Sequence, residues 1–334
     1  MPPRPTLLTC LTVQEETEFL PAPLGDEIAA AYARVDTLRP EELTAESWAE
    51  QLHAHNPEVL LACWKTPPLP ADLPPGLRYV CYLAGSVRKL VSSEQVAAGL
   101  IVSNWGDSIS RIVAEGALLH ILTGLRQTSH WAIAMHLHGG WKDPSTVTAS
   151  LFGRRVGIRG FGRVARELLK LLAPFGCDIG VHAPDLTPSL ASSHGIRVVP
   201  TIDALMRDHD IVVELAPLTP ETHHSIRLEH LEALRPRSLF VNVGRGATVD
   251  ETALLEIARR GEVFIGLDVY GIEPLPADSP FRGLTNVALT PHLGGPTTDR
   301  RVDAGRFGVR NLQAYAAGEP LRAVITPDVY ASST

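Results

Sequence analysis

Short runs of β-branched and large apolar residues alternate with helix-patterned stretches along nearly the whole chain, and that alternation predicts strands laid parallel with helices between them. In the first third the strand candidates are TLLTCLT, VLLACW, LRYVCYLAG and LIVSN, separated by the helix-like segments GDEIAAAYARV and SEQVAAG. The proline-rich KTPPLPADLPPG between them predicts a surface loop, because proline continues neither a helix nor a central strand. A long pattern, DSISRIVAEGALLHILTGLRQ, then repeats Ile109, Ile112, Val113, Ala117 and Ile121 at steps of three and four, which gives one apolar stripe for core packing. After HLHGGWKDP, read as a connecting segment, a second series follows: RRVGIRGFG, CDIGVHAP, IRVVP, DIVVELAP, SLFVNVGRG, FIGLDVYG and NVALTPH. These runs are apolar on both faces, as strands covered by helices on both sides must be. One helix announces both its ends. In VDETALLEIARRG, Asp250 is placed to cap the N-terminus, Glu251 and Arg259–Arg260 suit the helix dipole, and Gly261 terminates it. The last helical pattern, RRVDAGRFGVRNLQAYAAG, is too short for a domain and is expected to pack back on the first one.

Composition excludes several classes. The 334 residues suffice for two domains, and 45% apolar with 20% charged residues describes an ordinary globular chain. A net charge of −7 and the lack of a polybasic run argue against nucleic acid and against an anionic membrane surface as partners. No apolar run is long enough to span a bilayer, and the N-terminus reads as a first strand rather than a signal peptide. Cys10, Cys63, Cys81 and Cys177 are scattered without a C-x-x-C pair, which predicts buried, reduced thiols and a cytoplasmic protein. No metal site is expected: His194 lacks a partner, His53 and His55 are wrongly spaced, and His130, His136, His138, His223 and His224 read as loop or surface residues.

The strongest local signal is RVGIRGFGRVARELLKLLAPFG. A strand-like run enters Gly160-x-Gly162-x-x-Ala165, and a helix leaves with Val164, Leu168, Leu171 and Leu172 on one side. Gly160 allows the tight turn, Gly162 lets a pyrophosphate approach the backbone, and Ala165 keeps the helix close to the sheet. The helix N-terminus then offers N–H groups to the phosphates. Three later stretches place chemistry just beyond strands: Arg245 in VNVGRGATVDE, Glu273 in LDVYGIEPLP and His292 in LTPHLGG. Ligands of parallel sheets collect at the carboxyl ends of strands, so these side chains are expected to face one crevice. There a guanidinium can hold a carboxylate, an imidazole can exchange a proton with a hydroxyl or carbonyl oxygen, and a carboxylate can orient the imidazole.

In that order, PLTPETHHSI after DIVVELA, VNVGRGATVDE, LDVYGIEPLP and LTPHLGG closely resemble the D-2-hydroxyacid dehydrogenase family, as do LAGS, SN before a helix containing VAE, and GGWK. The likeness covers nearly the whole chain. It implies a Rossmann doubly wound parallel-sheet domain (residues 108–296) inserted into a smaller flavodoxin-like α/β substrate domain (residues 1–107 and 297–334). It also implies a cleft between the two and a dimerisation arm near residues 120–150 that makes a homodimer. The implied reaction is reversible NAD(P)-dependent hydride transfer between a D-2-hydroxyacid and its 2-oxoacid. In it Arg245 holds the carboxylate, Glu273 supports His292, and His292 is the acid and base. By the same resemblance Gly85 and Ser86 offer backbone N–H groups to the substrate carboxylate, and Asp268 holds the nicotinamide carboxamide. Gly160, Gly162, Arg163 and Val164 are implied to meet the dinucleotide at the glycine loop, and Pro217, Thr222, Val243, Gly244 and Gly294 along the later loops.

Departures from the family pattern are Ala216 where a histidine often stands, Trp105 where small residues are common, and the pair Arg88–Lys89 after AGS. Arg88 and Lys89 read either as a solvated pair or as contacts for a polar substrate tail. Glu273, where a formate dehydrogenase is expected to carry glutamine, argues against formate. A phosphite-oxidising relative or a nicotinamide-sensing corepressor would share the trio and is the alternative reading. The lack of an added C-terminal segment is expected to set the chain apart from phosphoglycerate dehydrogenases with a regulatory domain. For the cofactor, GVHAPD places Ala183 where NAD-preferring relatives carry aspartate, yet no arginine or lysine follows to hold a 2′-phosphate. Asp185 is either a displaced ribose ligand or a solvated loop acid, and NAD is favoured over NADP.

Overall fold

The computed structural model describes residues 4–332. It divides into two compact units: residues up to Ile109 together with those from Pro296 onward, and Ser110–Gly295.

The first unit is built on a five-stranded sheet, β1 (Thr6–Cys10), β2 (Arg34–Leu38), β3 (Val59–Ala62), β4 (Tyr79–Tyr82) and β5 (Ile101–Ser103), ordered β2-β1-β3-β4-β5 with every pair parallel. β3 and β4 are buried at every residue, which is why they read as unbroken apolar runs. β2 is different. The sequence pattern carries GDEIAAAYARV through as one helix, but the helix Leu24–Ala31 stops there, and Tyr32 is buried with its hydroxyl donating to the Leu312 carbonyl at 2.9 Å. The chain then enters β2, an edge strand whose mostly exposed residues carry no apolar signature. The helix Arg301–Ala317 belongs to this unit, and Gly305 lets it press on the Phe19 carbonyl, where a Cβ would stand only 1.6 Å from the oxygen.

The second unit holds seven parallel strands: β6 (Arg155–Arg159), β7 (Asp178–His182), β8 (Arg197–Val198), β9 (Ile211–Glu214), β10 (Leu239–Asn242), β11 (Phe264–Leu267) and β12 (Val287–Leu289). Their order, β12-β11-β10-β9-β6-β7-β8, reverses direction between β6 and β9, so the switch point where such sheets bind ligands lies at the ends of those two strands. Helices cover both faces and enclose two apolar clusters. One is centred on Val156, Ile158 and Val213, and the other on Val212, Phe240 and Ile265. The helix Ser110–Arg126 buries Ile112, Ala117 and Ile121, with Val113 half-buried and Ile109 just ahead of it. In Arg163–Leu172 the buried face is Ala165, Leu168 and Leu172, whereas Val164 and Leu171 only flank it. Glu251–Arg260 is capped by Asp250, which accepts from Thr252 and Ala253, and ends at Gly261 with φ 72°. A helix, Thr128–His138, precedes the segment read as a connection and takes in its first three residues; it carries His130, His136 and His138.

Among the described residues no helix is long and apolar enough to cross a membrane. The four thiols are free, with Cys10, Cys63 and Cys81 buried and Cys177 half-buried. No cluster of three or more His, Cys, Asp or Glu side chains is placed to hold a metal among the described residues.

Candidate active site

The carboxyl ends of β10, β11 and β12, neighbours in the second sheet, carry the three chemical groups in turn. Arg245 follows β10 in a turn fixed by its own backbone: its carbonyl accepts from Asn242 Nδ2 at 3.0 Å and Thr248 Oγ1 at 2.8 Å, and Gly244 N donates to Asn242 Oδ1 at 3.0 Å. The half-buried guanidinium donates to the Gly244 carbonyl at 2.8 Å. Burial pulls its pKa below the ordinary value, and the charge of Glu273 opposes that pull. Glu273, beyond β11, accepts from Tyr270 N through Oε1 at 3.0 Å, and its Oε2 lies 2.7 Å from His292 Nδ1. Both side chains remain partly open, at 35% and 46% exposure. His292 follows β12 with a φ of 54°, in the left-handed region that non-glycine residues rarely adopt.

That unusual backbone is held by Asp268. Its buried carboxylate accepts from Thr290 Oγ1 at 2.5 Å and Leu293 N at 2.7 Å through Oδ1, and from Gly294 N at 2.7 Å through Oδ2. Gly294 has no room for a side chain, since a Cβ would meet Asp268 Oδ2 at 2.7 Å. Asp268 therefore spends both oxygens on the loop that presents His292.

At the switch point, Gly160 has φ 91° and lies so close to the end of β9 that a Cβ would stand 2.9 Å from Ala216 N and from Leu215 O. Gly162 faces open space, and no side chain caps the helix Arg163–Leu172 behind it. A nicotinamide dinucleotide fits these residues: the turn, the bare backbone and the uncapped helix start together make an anion cradle. Val164 is half-buried and Arg163 exposed on that helix. Pro217 is exposed, and Thr222 braces its loop by donating to the Pro217 carbonyl at 2.6 Å. Val243 is buried beneath the β10 turn. Ala183 is half-buried against the core and Asp185 is exposed.

Gly85 and Ser86 stand in the first unit, half-buried beyond β4. Asn104 Nδ2 donates to the Gly85 carbonyl at 2.8 Å, and the Trp105 ring lies against Gly85, leaving no space for a Cβ. Trp105 meets Trp64 edge-on with centroids 6.1 Å apart. Arg88 is engaged by the C-terminal segment: it donates to the Tyr330 carbonyl at 2.7 Å and sits 5.1 Å from that ring's centre.

Two features of the second unit escape the sequence reading. Arg159 and Glu214 form a buried ion pair at 3.1 Å. Their only signal is a charge at the end of each of two apolar runs, VGIR and IVVE. His120, 3% exposed, lies with Nε2 at 2.8 Å from Thr290 Oγ1. The Thr290 hydroxyl proton goes to Asp268, so His120 is the donor and its Nδ1 is left without a partner. In the sequence it is one histidine inside a helical apolar stripe.

A parallel sheet with a glycine-built anion cradle at its switch point, and a histidine–carboxylate pair at its strand ends, defines a dinucleotide-binding α/β protein. Residues 118–294 match the family model described as D-isomer specific 2-hydroxyacid dehydrogenase, NAD binding domain, and the chain belongs to that family. It is 31% identical over 316 residues to the D-3-phosphoglycerate dehydrogenase of Mycobacterium tuberculosis, covering 94% of this chain and 56% of that protein. The chain thus spans little more than half the length of that relative. It is 31% identical over 256 residues to the glyoxylate reductase of Thermococcus onnurineus, covering 74% and 76% of the two chains. A crystal structure of a glyoxylate reductase from Paecilomyes thermophila shares the fold, with a TM-score of 0.81 at 23% identity, over 97% of this chain and 99% of that one.

Proposed function

We propose that this chain is an NAD(P)-dependent oxidoreductase that interconverts a D-2-hydroxyacid and its 2-oxoacid. The observation that carries the reading is the 2.7 Å contact between His292 Nδ1 and Glu273 Oε2, beside a cationic Arg245 on the neighbouring strand end. When bound, the nicotinamide ring supplies a hydride to the substrate α-carbon, or takes one from it. With Nδ1–H given to Glu273, Nε2 is the nitrogen left to exchange a proton with the substrate oxygen. In reduction His292 donates from Nε2 as the carbonyl π bond breaks, and the oxygen becomes the hydroxyl. In oxidation Nε2 accepts that proton as the hydride leaves. Glu273 steadies the positive charge that the ring carries in half of the cycle. Arg245 holds the substrate carboxylate through its fork of N–H donors.

NAD is the favoured cofactor, because Ala183 removes the acidic barrier to a 2′-phosphate but no arginine or lysine follows to bind one, and Asp185 would repel it if it turns inward. The protein is proposed to work as a cytoplasmic homodimer. Exposed Ile133, Met135, Leu137 and Trp141 support a covered apolar surface on the arm, and Leu137 and Trp141 are 71% and 72% exposed in the single chain. Burial pushes the Cys10 thiol up to about 12, which suits thiols that stay reduced and inert.

The test is oxidation of NADH and NADPH with glyoxylate, hydroxypyruvate, pyruvate, phenylpyruvate and, in the reverse sense, phosphite. Turnover of a 2-oxoacid is expected, and His292→Asn should lower kcat by roughly 10²–10⁴. Binding of NADH without turnover of any 2-oxoacid or of phosphite would overturn the enzyme reading.

A further inference from the structure

Arg159 and Glu214 end β6 and β9 and are paired residues across the switch point. They are 6% and 0% exposed in strands otherwise filled, apart from Arg155 at the start of β6, by valine, isoleucine and glycine. A buried ion pair is a poor device for stability, since two apolar side chains of similar volume do as well or better. Its worth must lie in where its remaining bonds go. Glu214 Oε1 accepts from Ala216 N at 3.0 Å, turning the chain at the residue against which Gly160 is pressed. Arg159 Nη2 donates to Ser225 Oγ at 2.7 Å, and that hydroxyl donates on to the Thr222 carbonyl at 2.5 Å. The Thr248 hydroxyl, which holds the Arg245 carbonyl, also lies against the Glu214 carboxylate. One buried pair therefore joins the start of the glycine loop, the segment 216–225 and the turn that aims Arg245.

We infer that the Arg159–Glu214 pair is a positioning element that sets the phosphate cradle and the Arg245 turn in register with one another. The inference rests on the cofactor reading above. Removing one partner leaves a lone buried charge and harms both folding and binding, so single variants alone do not separate the roles. The double variant Arg159→Leu/Glu214→Leu does, because it restores an apolar layer while abolishing every tie to Ala216, Ser225 and Thr248.

The experiment measures the melting temperature of the cofactor-free protein, the Kd for NADH by calorimetry, and KM against kcat for the best 2-oxoacid. It compares the wild type, both single variants, the double variant and Ser225→Ala. The single Leu variants are expected to melt lower. The double variant should regain most of that loss, yet bind NADH roughly tenfold or more weakly, the scale of a cradle displaced by a fraction of an ångström. Its KM for the 2-oxoacid should rise more than its kcat falls. Wild-type Kd and KM in the double variant would overturn the inference alone, while a wild-type protein without NADH affinity would overturn the cofactor reading and this inference with it. If the double variant does not fold, Ser225→Ala decides. It keeps the ion pair and the fold, and an unchanged Kd in it overturns the inference, whereas a several-fold weaker one at unchanged melting temperature upholds it.

Discussion

Replacing Glu273 by glutamine tests how much of the chemistry depends on the orientation of one ring. The substitution keeps the shape and an acceptor for Tyr270 N, which Oε1 serves at 3.0 Å, but replaces the charged acceptor 2.7 Å from His292 Nδ1 with an amide. A hydrogen bond to a charged group contributes about 1.5–3 kcal/mol. Both side chains are more than a third exposed, so screening by water brings the figure to the low end, about 1.5 kcal/mol. That corresponds to roughly tenfold in rate. The amide adds a second effect. Once its oxygen serves Tyr270, its NH₂ faces Nδ1 and favours the tautomer with the proton on Nε2. That tautomer cannot accept a proton from a hydroxyl, and because reduction and oxidation share one transition state, kcat/KM falls in both directions together. The expected loss is roughly 10–10³-fold in kcat/KM and the same in both directions, within the range that a misplaced general acid–base costs. NADH affinity should hold within a factor of about three, on the order of 0.6 kcal/mol. Initial rates in both directions, with NADH binding measured separately, check the result. A kcat/KM retained within a factor of two in both directions would refute the assignment of Nε2 as the working nitrogen.

Gly160→Ala puts a Cβ on a residue with φ 91° and 2.9 Å from Ala216 N. It should cost about 1–3 kcal/mol of stability and lower NADH affinity together, read by denaturant unfolding and calorimetry. His209 and His120 are buried with lowered pKa values, chiefly from desolvation; the His209 hydrogen bond to Leu205 and the charge of Asp268 near His120 oppose the shift. The unfolded chain then binds protons that the folded chain refuses, so their stability contribution is full above about 6.5 and is lost as pH falls through the lowered folded values. Melting temperature measured between pH 8 and 5 should drop on the acid side, and His209→Leu should flatten part of that slope; an unaltered slope would exclude His209 as a source. Leu137→Asp with Trp141→Asp should convert a dimer to monomers in sedimentation velocity, and unchanged sedimentation would remove the arm from the interface.

What the sequence made legible follows from where each signal is local. Strands buried on both faces, such as β3 and β4, must be apolar throughout, so they stand out as runs. The edge strand β2 need not be, and its first two residues, Arg34 and Val35, continue the helical pattern GDEIAAAYARV. The helix Thr128–His138 was passed over because it buries no residue, so its pattern has no inward face to mark it. Arg245, Glu273 and His292 could be read because each sits at the end of a recognisable run. The role of Asp268 could not, because the groups it holds, Thr290, Leu293 and Gly294, come 22 to 26 residues later and include two backbone N–H groups.

Distance along the chain also hides the buried pair. Arg159 and Glu214 lie 55 residues apart, and each alone is a single charge at the end of an apolar strand, where the chain is about to reach solvent. Only the strand order, in which β6 lies beside β9, brings the two charges into one layer and takes both out of water. Isolated, either charge would make its strand unsuitable for the middle of a sheet. Together they stand on adjacent central strands with every further bond directed at a loop of the crevice. In a parallel sheet, loops at a switch point are separated in sequence by whole βα units and share no backbone ladder beyond the strand ends. A side-chain bridge between the final residues of β6 and β9 adds to the backbone bond from Leu215 N to the Arg159 carbonyl a tie that reaches into the loops of the crevice. The stability forgone by using charges there is consistent with a requirement for fixed loop geometry, since an apolar pair can fill the same space but has no donor or acceptor with which to hold Ala216 or Ser225.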